Sequence, residues 1–169
     1  MMKHLLRVLL TAGLIVPFTG CSEVECPLDS VVVMTCGLRH AETGEKLQLS
    51  DSLSITPCGK DTILLNRAYG ISEFVLPLKM GNEVDTFLLR FSNSWEMSAT
   101  DTLFVAHRNE PHFESIDCPA SVFHHITHVS WTTHNLSDYP LTIDSVAVKR
   151  TLVDYNDIEN LQIYLHTAP

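Results

Sequence analysis

The chain has 169 residues, with 20 acidic and 11 basic side chains and a formal net charge of −9 when its histidines are neutral. A surface of this charge repels phosphate backbones and anionic head groups, which argues against nucleic-acid binding. The length suits one domain with its own hydrophobic core.

The N-terminus has the layout of a secretory signal peptide. Lys3 and Arg7 form a positive head, residues 5–16 are mostly apolar, and Pro17 interrupts any helix. This apolar stretch is shorter than the roughly 20 residues that span a bilayer. We therefore predict a leader that is removed rather than a membrane-spanning helix.

Cys21 follows the small residues Thr19 and Gly20. This arrangement resembles the lipobox of bacterial lipoproteins, in which the thiol is diacylated, the leader is cut before the cysteine, and the new amine is acylated. Several acyl chains give stable anchoring, because each buried methylene adds about 0.8 kcal/mol. The predicted organisation is a signal peptide at residues 1–20, a lipidated tether at 21–28 and one folded domain at 29–169.

Residues 22–25 read Ser-Glu-Val-Glu and continue the tether with two acids. Acidic residues after a lipidated cysteine resemble the signal that exports Bacteroides-type lipoproteins to the cell surface, although a solvated acidic leader has the same composition. We predict an outer-membrane lipoprotein of the cell envelope, which contacts the membrane through lipid on Cys21 and is either periplasmic or surface-exposed.

Four cysteines remain once Cys21 is assigned to lipidation, and an even number in an exported protein suggests disulfides. The sequence contains no Cys-x-x-Cys motif, which is the pattern that would indicate a zinc ribbon or a redox site. The pairing we favour is Cys26–Cys118, which would hold the tether to the distal half of the chain, and Cys36–Cys58, which would bracket a local meander. The alternative is buried, unpaired thiols.

The remainder of the chain reads as short strands separated by turns that contain Gly, Pro or Asn. One such turn, residues 41–44, places Gly44 at a left-handed position. No segment shows an apolar stripe with helical spacing. The pattern predicts an all-β domain, an antiparallel β-sandwich of immunoglobulin-like or similar type. The predicted strands cover residues 30–38, 47–55, 63–65, 73–78, 84–91, 102–107, 122–132, 142–149 and 161–165.

A short signature recurs six times, in which Asp is followed by Ser or Thr and then by an apolar residue. One reading is the start of a strand, where Asp bonds nearby backbone N–H groups and the apolar residue begins the core face. The other is a resemblance to the O-glycosylation acceptor of Bacteroides-type periplasmic proteins. The six copies begin at Asp29, Asp51, Asp61, Asp85, Asp101 and Asp144.

Several of these segments, taken in order, resemble a family of small Bacteroidales lipoproteins that carry a domain of unknown function. The resemblance covers nearly all of the mature chain and implies no activity. It is carried by Cys26 soon after Cys21, Asp51-Ser52-Leu53, the strand at 72–78, the Asp-Thr-Phe-Leu-Leu at 85–89, Asp101-Thr102-Leu103, Ile116-Asp117-Cys118-Pro119, His128-Val129, Ile143-Asp144-Ser145-Val146 and the segment 160–165.

Nine histidines suggest a metal site, and the densest group is His124, His125 and His128. On a strand, His124 and His128 share a face but lie about 13 Å apart, and His125 points to the other face. We therefore predict no cofactor and no metal. The alternatives are a site assembled from neighbouring strands, and a calcium loop at residues 154–160, which lacks the EF-hand pattern.

No nucleophile motif and no glycine-rich phosphate loop occurs, so we predict a protein without catalytic activity. Paired carboxylates brought together by the fold are the enzymatic alternative. Among the aromatic residues, Trp95 in the polar turn 92–96 is the best candidate for ligand binding, since a large indole is hard to bury there. The opposing reading is that Trp95 folds back over one end of the sandwich. The remaining aromatic candidates are Tyr69, Trp131, Tyr139 and Tyr155.

Three functions compete. The first is a lipid-tethered, non-catalytic envelope module that binds a protein partner or has a structural role. The second is a glycan-binding accessory lipoprotein that uses exposed aromatics. The third, which only the histidines favour, is a metal-binding protein or hydrolase.

Overall fold

A computed structural model describes residues 31–95 and 97–167. Within these ranges the chain forms two sheets that pack face to face and contains no helix, so the predicted all-β sandwich is confirmed. The described part therefore also holds no helix long and apolar enough to cross a membrane. The strands are β1 (Met34–His40), β2 (Ser52–Pro57), β3 (Leu65–Ala68), β4 (Glu73–Leu76), β5 (Val84–Ser92), β6 (Ser98–His112), β7 (Ser121–Thr132), β8 (Leu141–Val148), β9 (Leu152–Val153) and β10 (Glu159–Thr167).

The smaller sheet has four strands in the order β4-β1-β10-β8. Its central pair, β1 and β10, is parallel, whereas β4 and β8 pair antiparallel with their neighbours. The sequence predicts an antiparallel sandwich, and this is wrong for one pair of strands, the first strand β1 and the last strand β10. In β1, Met34, Cys36 and Leu38 are fully buried, as period-2 alternation requires.

The larger sheet has six strands in the order β3-β2-β5-β6-β7-β9. Its inner face contributes large apolar side chains to the core, among them Ile55 of β2, Phe87 and Phe91 of β5, and Leu103 of β6. Alternate residues point outward, and on β2 and β5 these are mainly hydroxyl-bearing and basic side chains. The outer face of this sheet is therefore polar, while the inner face is closed by the smaller sheet.

A β-bulge in β7 changes which histidines face the core. Ala106 pairs with His128 but His107 pairs with Ile126, so Thr127 has no partner of its own. An extra residue reverses the alternation of side chains along the strand. His124 is consequently buried and His128 exposed, and the prediction that these two residues share a face is wrong.

The predicted disulfide between Cys36 and Cys58 is wrong, because both side chains are free thiols. Cys36 lies on β1 with its thiol in the core, where burial raises its pKa far above the usual range. Cys58 is exposed in the turn that follows β2, in the other sheet. Cys118 is disulfide-bonded. Cys26 and Cys21 lie outside the described residues, so the pairing of Cys26 with Cys118 and the lipidation of Cys21 stay predictions.

The recurring Asp residues do not all mark the start of a strand. Asp51 directly precedes β2, as that reading requires, and its carboxylate accepts a hydrogen bond from the Tyr139 hydroxyl at 2.7 Å. Asp101 and Asp144 instead lie within β6 and β8. The shared signature therefore covers two structural situations, in which the carboxylate is either at a strand start or inside the sheet.

Asp101 connects the two sheets. Its side chain is fully buried on β6 of the larger sheet, and it accepts hydrogen bonds from the Thr142 hydroxyl and the Ile143 backbone N–H of β8 at 2.9 and 2.7 Å. The backbone N–H and the ring Nδ1 of His134, in the β7–β8 connection, donate to its other oxygen at 2.8 and 2.7 Å. Four donors thus compensate the desolvation of this carboxylate.

Replacing Asp101 by asparagine should lower the free energy of unfolding by about 3–5 kcal/mol, because one partner of a buried charged pair is lost and an amide N–H group faces other donors. Urea denaturation of both proteins measures this difference. Asp144→Asn is the matched control, since Asp144 is exposed, and it should change the free energy by less than about 0.5 kcal/mol. A small effect of Asp101→Asn would contradict the role we assign to this carboxylate.

Candidate functional site

A groove of approximately 600 Å³ lies on the outer face of the six-stranded sheet. It is open to solvent and crosses β2, β3, β5 and the start of β6. Its volume falls within the range of small-molecule binding sites. Most of its lining is polar and uncharged, with hydroxyls from Ser54, Thr56, Ser92 and Thr100 and amides from Asn66 and Asn93.

Two arginines, Arg67 and Arg90, are the charged residues of the lining, which contains no Asp, Glu or His. Arg90 pairs across β2 with Ser54 and across β6 with Thr100. Cross-strand partners project to the same face of a sheet. These three side chains therefore form one row across the floor of the groove.

Arg67 extends the same row onto β3. Its backbone N–H donates to the Ser54 hydroxyl at 3.0 Å. Leu53 pairs with Ala68 and Ile55 with Leu65, so Asn66 and Arg67 together oppose the single residue Ser54. This is a β-bulge, and bulges are found next to functional sites because they redirect side chains.

The backbone of Arg67 is strained. Its φ is +45°, and every other described residue with positive φ is a glycine, at positions 44, 59 and 70. A non-glycine residue in this region costs about 1–2 kcal/mol because its Cβ approaches the carbonyl oxygen. Such strain is concentrated at sites where the side chain serves a function.

Trp95 lies in the turn between β5 and β6, two residues after the groove residue Asn93, and is not itself part of the groove lining. Its backbone N–H donates to the side-chain oxygen of Asn93, which lines the groove, at 3.0 Å. The indole is 83% exposed. The reading in which Trp95 covers the end of the sandwich is therefore wrong, and the ring is available to a ligand.

The other aromatic candidates are not grouped with Trp95. Tyr139 is buried and Trp131 packs against the core. Tyr155 packs edge-on against Phe123, with ring centroids 5.0 Å apart. Tyr69 is exposed but does not line the groove.

The buried histidines belong to a separate network on the inner side of the six-stranded sheet. Asp85 of β5 accepts hydrogen bonds from the Lys79 backbone N–H and the Asn82 side-chain amide, both at 2.7 Å. The Nε2 atom of His107 lies 3.2 Å from the same carboxylate. These contacts fix the β4–β5 turn to β5 and β6.

Asn109 extends the network to β7. Its amide nitrogen donates to the carbonyls of Met80 and Asn82, which leaves its side-chain oxygen as the acceptor for Nδ1 of His107 at 2.9 Å and Nδ1 of His124 at 2.7 Å. Both ring nitrogens of His107 therefore lie within hydrogen-bonding distance of an acceptor, which joins Asp85 of β5 to Asn109 of β6 through this ring.

The His124 ring meets the His107 ring edge-on, with centroids 5.0 Å apart. Burial and the neighbouring charge of His107 lower the pKa of His124 to about 4, against a smaller opposing effect of Asp85. His124 is therefore neutral at pH 7. Its Nε2 atom makes no hydrogen bond to any described residue.

The histidine network lies apart from the groove. Neither His107 nor His124 borders the groove, and no serine, threonine or cysteine side chain bonds to either ring within the described residues. Across residues 31–95 and 97–167, no group of three His, Cys, Asp or Glu side chains is placed to hold a metal ion. The hydrogen bonds of these histidines join β5, β6 and β7.

The acidic loop at 154–160 is organised by an arginine. Both carboxylate oxygens of Asp154 accept hydrogen bonds from Arg150, at 2.8 and 2.7 Å, and Asn156 donates to them from its backbone and its side chain. Arg150 is the main cause that holds the pKa of Asp154 well below its usual range. Oxygens engaged in this way are not arranged for calcium.

The sequence reasoning did not identify Arg67 and Arg90. The alternation of Ser52, Ser54 and Thr56 with apolar residues does indicate a hydroxyl-rich outer face. However, the row across the groove depends on the pairing of β2 with β5 and on the bulge in β3. Neither feature has a signal in the sequence.

A model of a family of unknown function (DUF6452) matches residues 52–165 of the chain. The matched region extends from β2 to β10. It includes all lining residues of the groove and the buried carboxylates Asp85 and Asp101 with their hydrogen-bond partners. No curated protein and no solved structure matches the chain.

Replacing His124 by asparagine should reduce the loss of unfolding free energy that accompanies a fall in pH below about 6.5. Between about pH 6.5 and 4 the unfolded chain protonates this ring while the folded protein does not, so acidification through that window removes up to about 3 kcal/mol from the free energy of unfolding. Asparagine keeps a donor for Asn109 and does not titrate.

Urea denaturation at several pH values between 7 and 4 measures the two slopes. His128→Asn, at an exposed position of the same strand, controls for the loss of a histidine as such. Equal pH slopes in wild type and His124→Asn would contradict the assignment.

Proposed function

Because the chain belongs to the family of unknown function DUF6452, whose name carries no activity, we propose its function from its own geometry: it is a lipid-anchored, non-catalytic β-sandwich of the cell envelope that binds a partner through the groove. The observation that carries this proposal is the solvent-open row of Arg67, Ser54, Arg90 and Thr100. The groove is the place where polar side chains are presented to a ligand rather than to the core.

The composition of the groove supports binding without chemistry. Its hydroxyls, such as those of Ser54 and Thr100, have no carboxylate or imidazole beside them in the lining. A hydroxyl is a weak nucleophile unless a neighbouring base takes its proton. The buried histidines His107 and His124 are hydrogen-bonded on the inner face, away from these hydroxyls.

The membrane part of the proposal rests on the sequence. A positive head, a short apolar stretch and a cysteine after small residues place the lipid on Cys21, as in bacterial lipoproteins. The resemblance to Bacteroidales lipoproteins supports an outer-membrane location. Residues 1–30 lie outside the described part of the chain.

The ligand is either a protein of the envelope or a glycan. A protein partner is the prediction from the sequence and is favoured by no particular residue. The exposed Trp95 is a specific observation that favours a glycan. An indole that is 83% exposed can stack on the apolar face of a sugar ring, and Trp95 stands two residues after the groove residue Asn93. Glycan binding is therefore the second candidate function.

Replacing Cys21 by alanine should move the full-length protein from the membrane fraction to the soluble fraction of the producing cell, because the predicted lipid is attached to the Cys21 thiol. Immunoblots of the two fractions measure this. Ser22→Ala is the matched control and should remain membrane-bound. Retention of Cys21→Ala in the membrane would contradict lipid anchoring.

A photo-reactive side chain at Thr100 should form a covalent adduct when native envelopes are irradiated, because Thr100 lies in the groove. The same side chain at Val75, which is half-exposed on β4 of the other sheet, is the control. Gel shifts and glycan staining detect protein and carbohydrate adducts. Equal adducts at both positions, or none at Thr100, would contradict the groove as the binding surface.

A further inference from the structure

We propose that the groove binds an acidic saccharide, an oligosaccharide with uronic-acid carboxylates, and that Arg67 and Arg90 pair with those carboxylates. The proposal rests on the proposed function, in which this groove is the binding surface. It adds the chemical class of the ligand and the two residues that select it.

The charge of the groove is opposite to that of the chain. Acidic side chains outnumber basic ones by 20 to 11, yet the lining holds two arginines and no carboxylate. Some basic side chains outside the groove are paired with carboxylates, as in Arg39 with Glu159 and Arg150 with Asp154. In the part of the chain that the structure describes, neither groove arginine has a carboxylate partner. An uncompensated positive concavity attracts anions.

The positions of the two arginines suit a carboxylate-bearing chain. Arg67 and Arg90 stand on either side of β2, two strand spacings apart, which is about 10 Å. Nε and Nη2 of Arg90 are directed to the Ser98 hydroxyl at 3.2 and 2.9 Å, which holds the guanidinium and leaves Nη1 for a ligand. The planar guanidinium group matches a carboxylate in geometry.

Arg67 occupies a backbone position where glycine would be less strained. The three other described residues with positive φ are glycines. The bulge opposite Ser54 places the Arg67 side chain in the groove. Binding of a ligand by the Arg67 guanidinium, which has no carboxylate partner among the described residues, would account for an arginine at this strained backbone position.

A saccharide fits the groove better than a peptide does. The groove lies on the face of the sheet, where the backbone groups of β2, β5 and β6 are already paired with neighbouring strands, so an extended peptide could add as another strand only at the outer edge of β3. Recognition on the face itself must come from the hydroxyls, amides and guanidinium groups of the lining. These groups pair with sugar hydroxyls and carboxylates.

The test is isothermal titration of the full mature protein with a panel of uronic-acid oligosaccharides, each paired with its carboxyl-reduced neutral counterpart. We expect at least one acidic member to bind at least tenfold more tightly than its neutral partner, with an affinity that falls as salt rises. Arg67→Gly and Arg90→Gln should each weaken that binding at least tenfold. Arg108→Gln, which removes an exposed arginine of β6 outside the groove, should not.

Arg67→Gly separates a binding role from a structural one. Glycine accepts the positive φ, so this variant should melt at the same temperature as wild type or higher while it loses affinity. Equal affinity for acidic and neutral members, retained affinity in Arg67→Gly, or no binding by any acidic member would overturn the proposal. Equal or tighter binding of a poly-glutamate peptide would assign the groove to acidic peptides instead and overturn the saccharide. The proposed function itself survives each of these results if Thr100 still cross-links to an envelope partner.

Discussion

The structure depends on one buried carboxylate. Asp101 lies in the middle of the sandwich and accepts four hydrogen bonds, two from β8 of the opposite sheet and two from His134 in the connection that precedes it. Apolar contacts between sheets are non-directional, whereas these bonds have fixed distances and partners. The apolar core therefore supplies most of the stability, and Asp101 sets how the larger sheet is aligned on the smaller one.

Ionisable groups are distributed in two distinct ways between the inner and outer faces. On the inner side, the carboxylates of Asp85 and Asp101 each contact a histidine ring. These imidazoles, which in the sequence resemble catalytic or metal-binding groups, are thus held by contacts within the fold. On the outer side, Arg67 and Arg90 remain without carboxylate partners in a concave surface among the described residues. This distribution supports the proposal that the outer face binds a ligand.

The longer strands were predictable because each shows its own alternation of apolar and polar residues: β5 and β7 begin and end within a residue or two of the predicted limits. The two-residue strand β9 was not predicted, and the segment predicted at 63–65 overlaps β3 only at Leu65. β6 is much longer than predicted because polar residues and Pro111 at its exposed end hide its continuation. The bulge at Thr127 and the groove were not predictable, since both depend on which residues pair across strands. The pairing of Cys36 with Cys58 failed for the same reason, because spacing along the chain does not reveal that the two cysteines belong to different sheets.

The parallel pairing of β1 with β10 has a consequence for the order in which the chain can fold. Thr35 pairs with Glu159, so the four-stranded sheet lacks a central member until the C-terminal segment has been synthesised. Contacts between residues this far apart close large loops and form slowly. The N-terminal strand β1 must therefore wait, with one edge unpaired, until the last strand of the chain is available.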